Sequence, residues 1–255
     1  MNDSLSGSVA LVTGAGQGIG LGVALALASH GADVVVTGRS AHSVDQSVES
    51  IAAAGGSAIG MTCTVGDRGS VDETIAAVAE RFDRLDIVVH NAAGDLPEQR
   101  WAVEDVTPEQ WASLVDVSLH GAFDCAQLAY PLLRRRGGRF IVLTSSAGAS
   151  GTATLPIYAA AKAAQRGFVR SLACEWGVDA ITVNGIGPLA RTRGLERSFE
   201  ANPEAERLLI GRIPLARIGD PQRDIGEVVA FVASSAAGYI TGQTIFVDGG
   251  VFTAT

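Results

Sequence analysis

Short apolar, β-branched runs punctuate the chain at Val9 to Thr13, Asp33 to Thr37, Ala58 to Thr62, Asp86 to His90, Arg139 to Thr144, Ala180 to Asn184 and Thr244 to Val247. Between them lie Ala-rich stretches with helical spacing, among them Gly18 to His30, Ser43 to Ala54, Ser70 to Phe82, Glu109 to Arg135 and Ile157 to Trp176. This alternation predicts parallel strands joined by crossover helices, an α/β fold with a doubly wound sheet. The strand runs are continuously apolar (Val34-Val35-Val36, Ile87-Val88-Val89, Phe140-Ile141-Val142-Leu143), so helices should cover both faces of the sheet. No linker or longer repeat interrupts the pattern, and residues 1–255 read as a single domain. One stretch, Leu189 to Arg217, is rich in Arg, Glu and Pro and too long for an ordinary connection. Because it follows a strand, at the end where doubly wound sheets bind ligands, it reads as a substrate lid; a variable surface excursion is the alternative.

Directly after the first strand comes Thr13-Gly14-Ala15-Gly16-Gln17-Gly18-Ile19-Gly20, then Gly22 and an Ala/Leu helix. Glycines there permit a tight turn and a close backbone approach to a pyrophosphate, which the helix N-terminus attracts. Gly14, Gly16, Gln17, Gly18, Ile19 and Gly20 are therefore the expected contacts to a dinucleotide. At the end of the second strand, where such a fold reads the ribose, stands Thr37-Gly38-Arg39-Ser40. Gly38 offers no carboxylate to a 2'-hydroxyl, whereas Arg39 can bind a 2'-phosphate through charge-assisted hydrogen bonds. The expected cofactor is NADP(H), with NAD(H) as the second option and a merely solvated Arg39 as the bland reading.

Further along, Tyr158-Ala159-Ala160-Ala161-Lys162 sets a phenol and an ammonium on one helix face. A phenol is a weak acid or base at neutral pH, and a neighbouring cation should lower its pKa toward the working range. By itself such a pair would be an ordinary exposed one.

The rest of the chain changes that. The Thr13 to Gly20 loop, His90-Asn91-Ala92-Ala93, Ser145 thirteen residues before Tyr158, the Tyr-x-x-x-Lys pair, Pro188, and the ending Thr241-Gly242-Gln243 with Asp248-Gly249-Gly250 follow one another in order. With these motifs the chain resembles the short-chain dehydrogenase/reductase family along essentially its whole length, in particular its 3-oxoacyl-ACP reductase-like ketoreductases. The resemblance implies a Rossmann-type sheet of about seven strands and interconversion of a ketone and a secondary alcohol by hydride transfer. It implies Tyr158 as general acid/base, Lys162 holding the nicotinamide ribose and depressing the phenol pKa, and Ser145 (with Ser146 the neighbouring candidate) orienting the substrate carbonyl. It also implies cofactor contacts from Thr64, Val65, Asn91, Ala92, Pro188 and Leu189, with Ile186 lining the nicotinamide pocket.

Four places depart from the family pattern. Ser118 stands where an Asn usually serves a proton relay, and is expected to support a slower one. His90 replaces the first Asn after the fourth strand and is expected to be a packed strand-end histidine, while Asn91 braces the sheet or the cofactor. Thr64 stands where an acidic or amide residue often meets the adenine. Leu189 replaces a glycine, and the Thr that binds the carboxamide is shifted, Thr192 lying one residue early and Arg193 taking its place. Enoyl reduction, which in related proteins goes with a wider Tyr to Lys spacing, and a dinucleotide-binding regulator without turnover are the competing readings.

Composition narrows the partners. Nineteen Lys plus Arg against 27 Asp plus Glu give a formal charge of −8, which argues against nucleic acid. Cys63, Cys125 and Cys174 are scattered and odd in number, so neither a disulfide framework nor a CxxC metal site is expected. The first fourteen residues lack a basic n-region and no stretch is apolar enough for a spanning helix, so the expectation is a cytoplasmic protein without membrane or metal. Six arginines and four glutamates in Leu189 to Arg217 suit an anionic substrate or a solvated surface equally. The long Ala/Leu-rich helices and the C-terminal Ile245 to Phe252 segment suit the interfaces of a homotetramer. Pocket walls near Asp95, Trp101, Thr152 and Leu155 should choose the small-molecule substrate.

Overall fold

The structure, a computed structural model, describes residues 4–94, 102–153 and 155–253. Among them the strands are β1 (Val9–Val12), β2 (Asp33–Gly38), β3 (Ser57–Thr62), β4 (Ile87–His90), β5 (Arg139–Leu143), β6 (Thr182–Pro188) and β7 (Thr244–Val247). All pair in parallel, in the order β3-β2-β1-β4-β5-β6-β7. The helices are α1 (Gly18–Ser29), α2 (Ala41–Ala53), α3 (Arg68–Phe82), α4 (Pro108–Val115), α5 (Gly121–Leu133), α6 (Ala147–Ser150), α7 (Pro156–Trp176), α8 (Arg193–Ala201), α9 (Pro203–Ile210) and α10 (Glu227–Ala233). This is the doubly wound Rossmann-type sheet that the apolar pattern predicts.

Each face of the sheet carries its own core, so alternate residues of one strand belong to different layers. Ala10 and Val12 pack with Val23, Leu27 and Val229 on the side of α1 and α10. Val9 and Leu11 pack with Val78, Leu133, Val169 and Trp176 on the side of α3, α5 and α7. On that second side Trp176 stacks on Tyr130, with ring centroids 5.2 Å apart, and meets the edge of Phe140 at 5.8 Å. Continuous apolar runs are the signature of strands buried on both faces.

Two elements differ from the sequence reading. The sixth strand starts later and runs further, Thr182–Pro188, because β5 and β7 pair with it on both sides and carry it through Gly185 and Gly187. The long helix expected over Glu109 to Arg135 is wound more loosely at Asp116–His120, a π-type turn between α4 and α5 that holds Ser118. Local propensity does not register such a turn, which often marks a functional region. The stretch 189–217 is also more regular than expected, since α8 and α9 occupy most of it.

The C-terminal segment is tied into the sheet by polar groups. Buried Asn184 donates to the Ile240 carbonyl at 2.7 Å and accepts from Gln243 N at 3.1 Å. Thr241 Oγ1 accepts from Val183 N, and both Asp248 carboxylate oxygens accept backbone N–H groups, from Gly250 and Phe252. α1 is pressed on a second π-type turn, Pro221–Gly226. A Cβ on Gly22 would lie 2.4 Å from the Pro221 carbonyl carbon. Gly22→Ala should therefore overpack this contact by roughly 1–3 kcal/mol and lower Tm by about 3–10 °C, read by thermal unfolding; an unchanged Tm would mean the turn moves freely.

Candidate active site

The strand order reverses between β1 and β4, whose connections leave toward opposite faces and open a crevice at their carboxyl ends. Thr13 and Asn91 stand on either side of it and fasten the two strand ends together. Thr13 Oγ1 accepts from Asn91 N and Ala92 N, both at 3.0 Å, and Asn91 Nδ2 donates to the carbonyls of Thr13 (2.9 Å) and Gly14 (3.1 Å). Asn91 thus braces the glycine loop. That loop turns at Gly18, whose φ of +59° is a conformation side chains resist, and α1 begins there. Gln17, at the cap position, makes no side-chain capping bond, so the first-turn amides stay available to a ligand.

Two cavities meet at this loop and share Gly14, Gln17, Asn91 and Ala93. One, of about 320 Å³, is lined also by Gly16, Gly38, Arg39, Ser40, Ser43, Thr64, Val65 and Ala92. No carboxylate is among its described lining residues; the ribose-reading end of β2 presents Arg39 and two serines. Ser43 was not anticipated, since only the fold of α2 turns it toward Gly16, whose added Cβ would lie 2.6 Å from Ser43 Oγ.

The second cavity, of about 380 Å³, joins Gly18, Ile19 and Gly20 to Tyr158, Lys162, Pro188, Thr192, Arg193 and Arg197. Tyr158 and Lys162 project from the first turns of α7, as their spacing predicts, with Lys162 Nζ 5.7 Å from the centre of the phenol ring. The electrostatics differ from the expectation. Burial pushes the Tyr158 phenol above its ordinary value, and its hydrogen bond with Ser145, rather than the Lys162 charge, is what opposes that rise. Lys162 is itself brought down to about 7 by burial, and its ammonium donates to the Leu143 carbonyl at 2.6 Å.

Several expected contributors lie elsewhere. Ser118 is fully buried beneath the cleft, its carbonyl accepting from Gln165 Nε2 at 2.6 Å, and its hydroxyl has no hydrogen-bond partner among the described residues. Gln165, one turn beyond Lys162 on the buried face of α7, escaped notice; that spacing was the available signal. Leu189 packs with Phe199, Ile213 and Ile218 and borders a different cavity from the one that holds Tyr158 and Lys162. Ile186 is sealed in the core under α1. His90 is the packed strand-end histidine expected: burial first, and the Lys162 charge second, bring its pKa to about 3, partly offset by the Ser118 backbone, so it stays neutral. Asp95 and Trp101 lie outside the described residues.

Comparison with known proteins agrees with this geometry. A family model described as enoyl-(acyl carrier protein) reductase matches residues 14–252. A 3-oxoacyl-[acyl-carrier-protein] reductase of Synechocystis sp. is 37% identical over 252 residues, covering 97% of this chain and 98% of that protein. The chain belongs to the short-chain dehydrogenase/reductase family. Among solved members, one assigned as a short-chain alcohol dehydrogenase from Sinorhizobium meliloti 1021 superposes with a TM-score of 0.91 at 36% identity, over 98% of both chains. Another, assigned as an NAD(P)-dependent gluconate 5-dehydrogenase from Beutenbergia cavernae and holding NADP at low occupancy, gives 0.90 at 32% identity, over 98% of this chain and 99% of its own.

As a member of this family the protein is an oxidoreductase that interconverts a carbonyl and an alcohol with a nicotinamide dinucleotide. The residues present fit that group, since the cradle at Gly18, the open N-terminus of α1 and the flanking cavities offer room and donors for a diphosphate with a base at each end. Among the described residues, no helix is long and apolar enough to cross a membrane and no cluster of ligands suits a metal ion. The Lys162 value gives a test by linkage. Its folded pKa of about 7 lies below the ordinary 10.5, so between these values the unfolded chain binds the extra proton and stability attributable to Lys162 grows as pH rises. The Tm of the parent minus that of Lys162→Met should increase from pH 7 to pH 9; a flat difference would place the lysine in solvent.

Proposed function

We propose that the protein is an NADP-preferring reductase of a ketone, run reversibly as an alcohol dehydrogenase, with Tyr158 as its general acid/base. The observation that carries this reading is the meeting of Tyr158, Ser145 and Lys162 at the wall of a cleft whose opposite wall is the glycine loop. A bound reduced cofactor would supply the hydride. The chain's own residues then manage the oxygen of the substrate. Ser145 and Tyr158, hydrogen-bonded to each other, put two hydroxyl donors at one point, where a carbonyl oxygen would be both oriented and stabilised as it gains charge. Tyr158 gives its proton to that oxygen. Lys162, anchored on the Leu143 carbonyl, stabilises the remaining phenolate whenever it is protonated, which near neutral pH is a large fraction of the time. Ser118 supports this arrangement from below through the Gln165 contact, as a positioning residue.

For the adenosine half, Arg39 is the proposed contact to a 2'-phosphate, with Ser40 and Ser43 beside it; Gly14, Gly16, Thr64, Val65, Asn91 and Ala92 line the same cavity. Absence of a carboxylate among the described lining residues supports NADP over NAD. Residues 1–255 act as one dinucleotide-binding domain, with 189–217 as a lid over the nicotinamide side. The molecule assembles as a homotetramer, supported by the half-exposed Trp111 and Phe123 on α4 and α5. A cytoplasmic location accords with three free cysteines, Cys63, Cys125 and Cys174.

Tyr158→Phe should lower kcat with NADPH and a ketone panel by about 10²–10⁴-fold while leaving the dissociation constant for NADPH within about twofold of the parent, both read from nicotinamide absorbance and fluorescence. Comparable turnover would remove Tyr158 from the chemistry. Arg39→Asp should reverse the NADP to NAD ratio of kcat/KM, costing NADP roughly tenfold or more; an unmoved ratio would refute the cofactor assignment.

A further inference from the structure

The six arginines of the 189–217 stretch are not equivalent in the folded chain. Arg191 pairs with Glu206 at 2.7 Å, Arg207 with Glu204, and Arg217 forks onto both oxygens of Asp224 at 2.6 and 2.7 Å. These pairs neutralise much of the charge that the sequence seemed to offer a substrate. Arg193 differs from them. Its side chain is exposed, makes no ion pair among the described residues, and lines the cavity that holds Gly18, Ile19, Tyr158 and Lys162. No carboxylate is among the described lining residues of that cavity.

The position of Arg193 is fixed by its neighbour. Thr192 accepts a hydrogen bond from Leu195 N and so caps α8, which starts at Arg193. The same threonine leans over the glycine loop, its Cγ2 3.7 Å from where a Cβ on Gly18 would lie. The backbone at Arg193 is therefore fixed at the cavity wall shared with the start of α1, whose first turn lacks a side-chain cap. Positive potential from two elements converges on the strip of cleft between the two cavities, and an anion spanning that strip would be bound from both sides.

We propose that Arg193 is a phosphate-binding residue of the cofactor site, holding the diphosphate bridge of the dinucleotide from the lid wall while the glycine loop holds it from the other. This rests on the family reading of the cleft as a dinucleotide site. It gives Arg39 and Arg193 separate tasks. Arg39 addresses a phosphate that only NADP carries, whereas Arg193 addresses the bridge that NAD and NADP share. It also makes the start of α8 a part of the cofactor site.

The test uses the full chain with Arg193→Met and Arg193→Lys, titrated with NADPH and NADH by nicotinamide fluorescence and with ADP-ribose by calorimetry. Arg193→Met should raise Kd for NADPH and NADH by the same factor, roughly 10- to 100-fold, with a matching loss for ADP-ribose, which keeps the diphosphate but has no nicotinamide. Arg193→Lys should recover part of the affinity, as a point charge without the fork would. An unchanged Tm in both variants, expected for an exposed side chain, ties the loss to binding. Kd values that move by less than twofold would overturn the proposal, as would a loss confined to NADPH or a raised KM for anionic ketones at unchanged cofactor affinity. If the parent bound neither dinucleotide, the reading of the cleft itself would fall with it.

Discussion

Everything chemical in this molecule depends on how β1 and β4 are held together at their carboxyl ends. Parallel strands whose crossovers leave in opposite directions cannot close the space above them, so the reversal in strand order creates a crevice as a matter of topology. A crevice is useful only if its walls keep their spacing. Thr13 and Asn91 keep it, with four hydrogen bonds of 2.9 to 3.1 Å running between the strand ends and into the glycine loop. Because these groups are partly buried, loosening one bond would leave its partners unsatisfied in a place water reaches poorly. The loop, the start of α1 and both cavities inherit their positions from this clasp.

The wall that carries Tyr158 and Lys162 is built differently, by desolvation. α7 carries Tyr158, Lys162 and Gln165 on adjacent turns, so the helix that packs against the sheet also delivers three polar groups to its buried edge. Each is answered by a group already placed by the sheet or the π-type turn: Ser145 for Tyr158, the Leu143 carbonyl for Lys162, the Ser118 carbonyl for Gln165. Burial lowers the lysine to about 7 and raises the phenol, so the two groups are driven apart in proton affinity: the phenol holds its proton more tightly while the ammonium gives its own up more readily.

The 189–217 stretch shows charge being used twice. Three of its six arginines are tied to glutamate or aspartate neighbours, while Arg193 lines the cleft. A segment paired in this way that presents a cation to the cleft can meet an anion without exposing a large apolar surface. The small cluster of Phe199, Ile213 and Ile218 beneath it supplies the packing that such a segment needs.

The sequence by itself determined the sheet, the glycine loop and the Tyr158–Lys162 pair, because each rests on local spacing. Period and apolar continuity report burial on two faces, glycines report a backbone that side chains rarely adopt, and a separation of four on a helix reports a shared face. Sequence order also carried Ser145 to the right neighbourhood. What it could not determine were contacts between distant segments: Gln165 on the carbonyl of Ser118, Ser43 against Gly16, Leu189 packed against Phe199 and Ile213, and the ion pairs that take up Arg191, Arg207 and Arg217 but, among the described residues, not Arg193. The sign of the Tyr158 shift belongs with these. Spacing puts a lysine near the phenol, but only the packed interior decides how much of its charge survives there, and desolvation is a property of everything that surrounds a group rather than of the residues beside it in the chain.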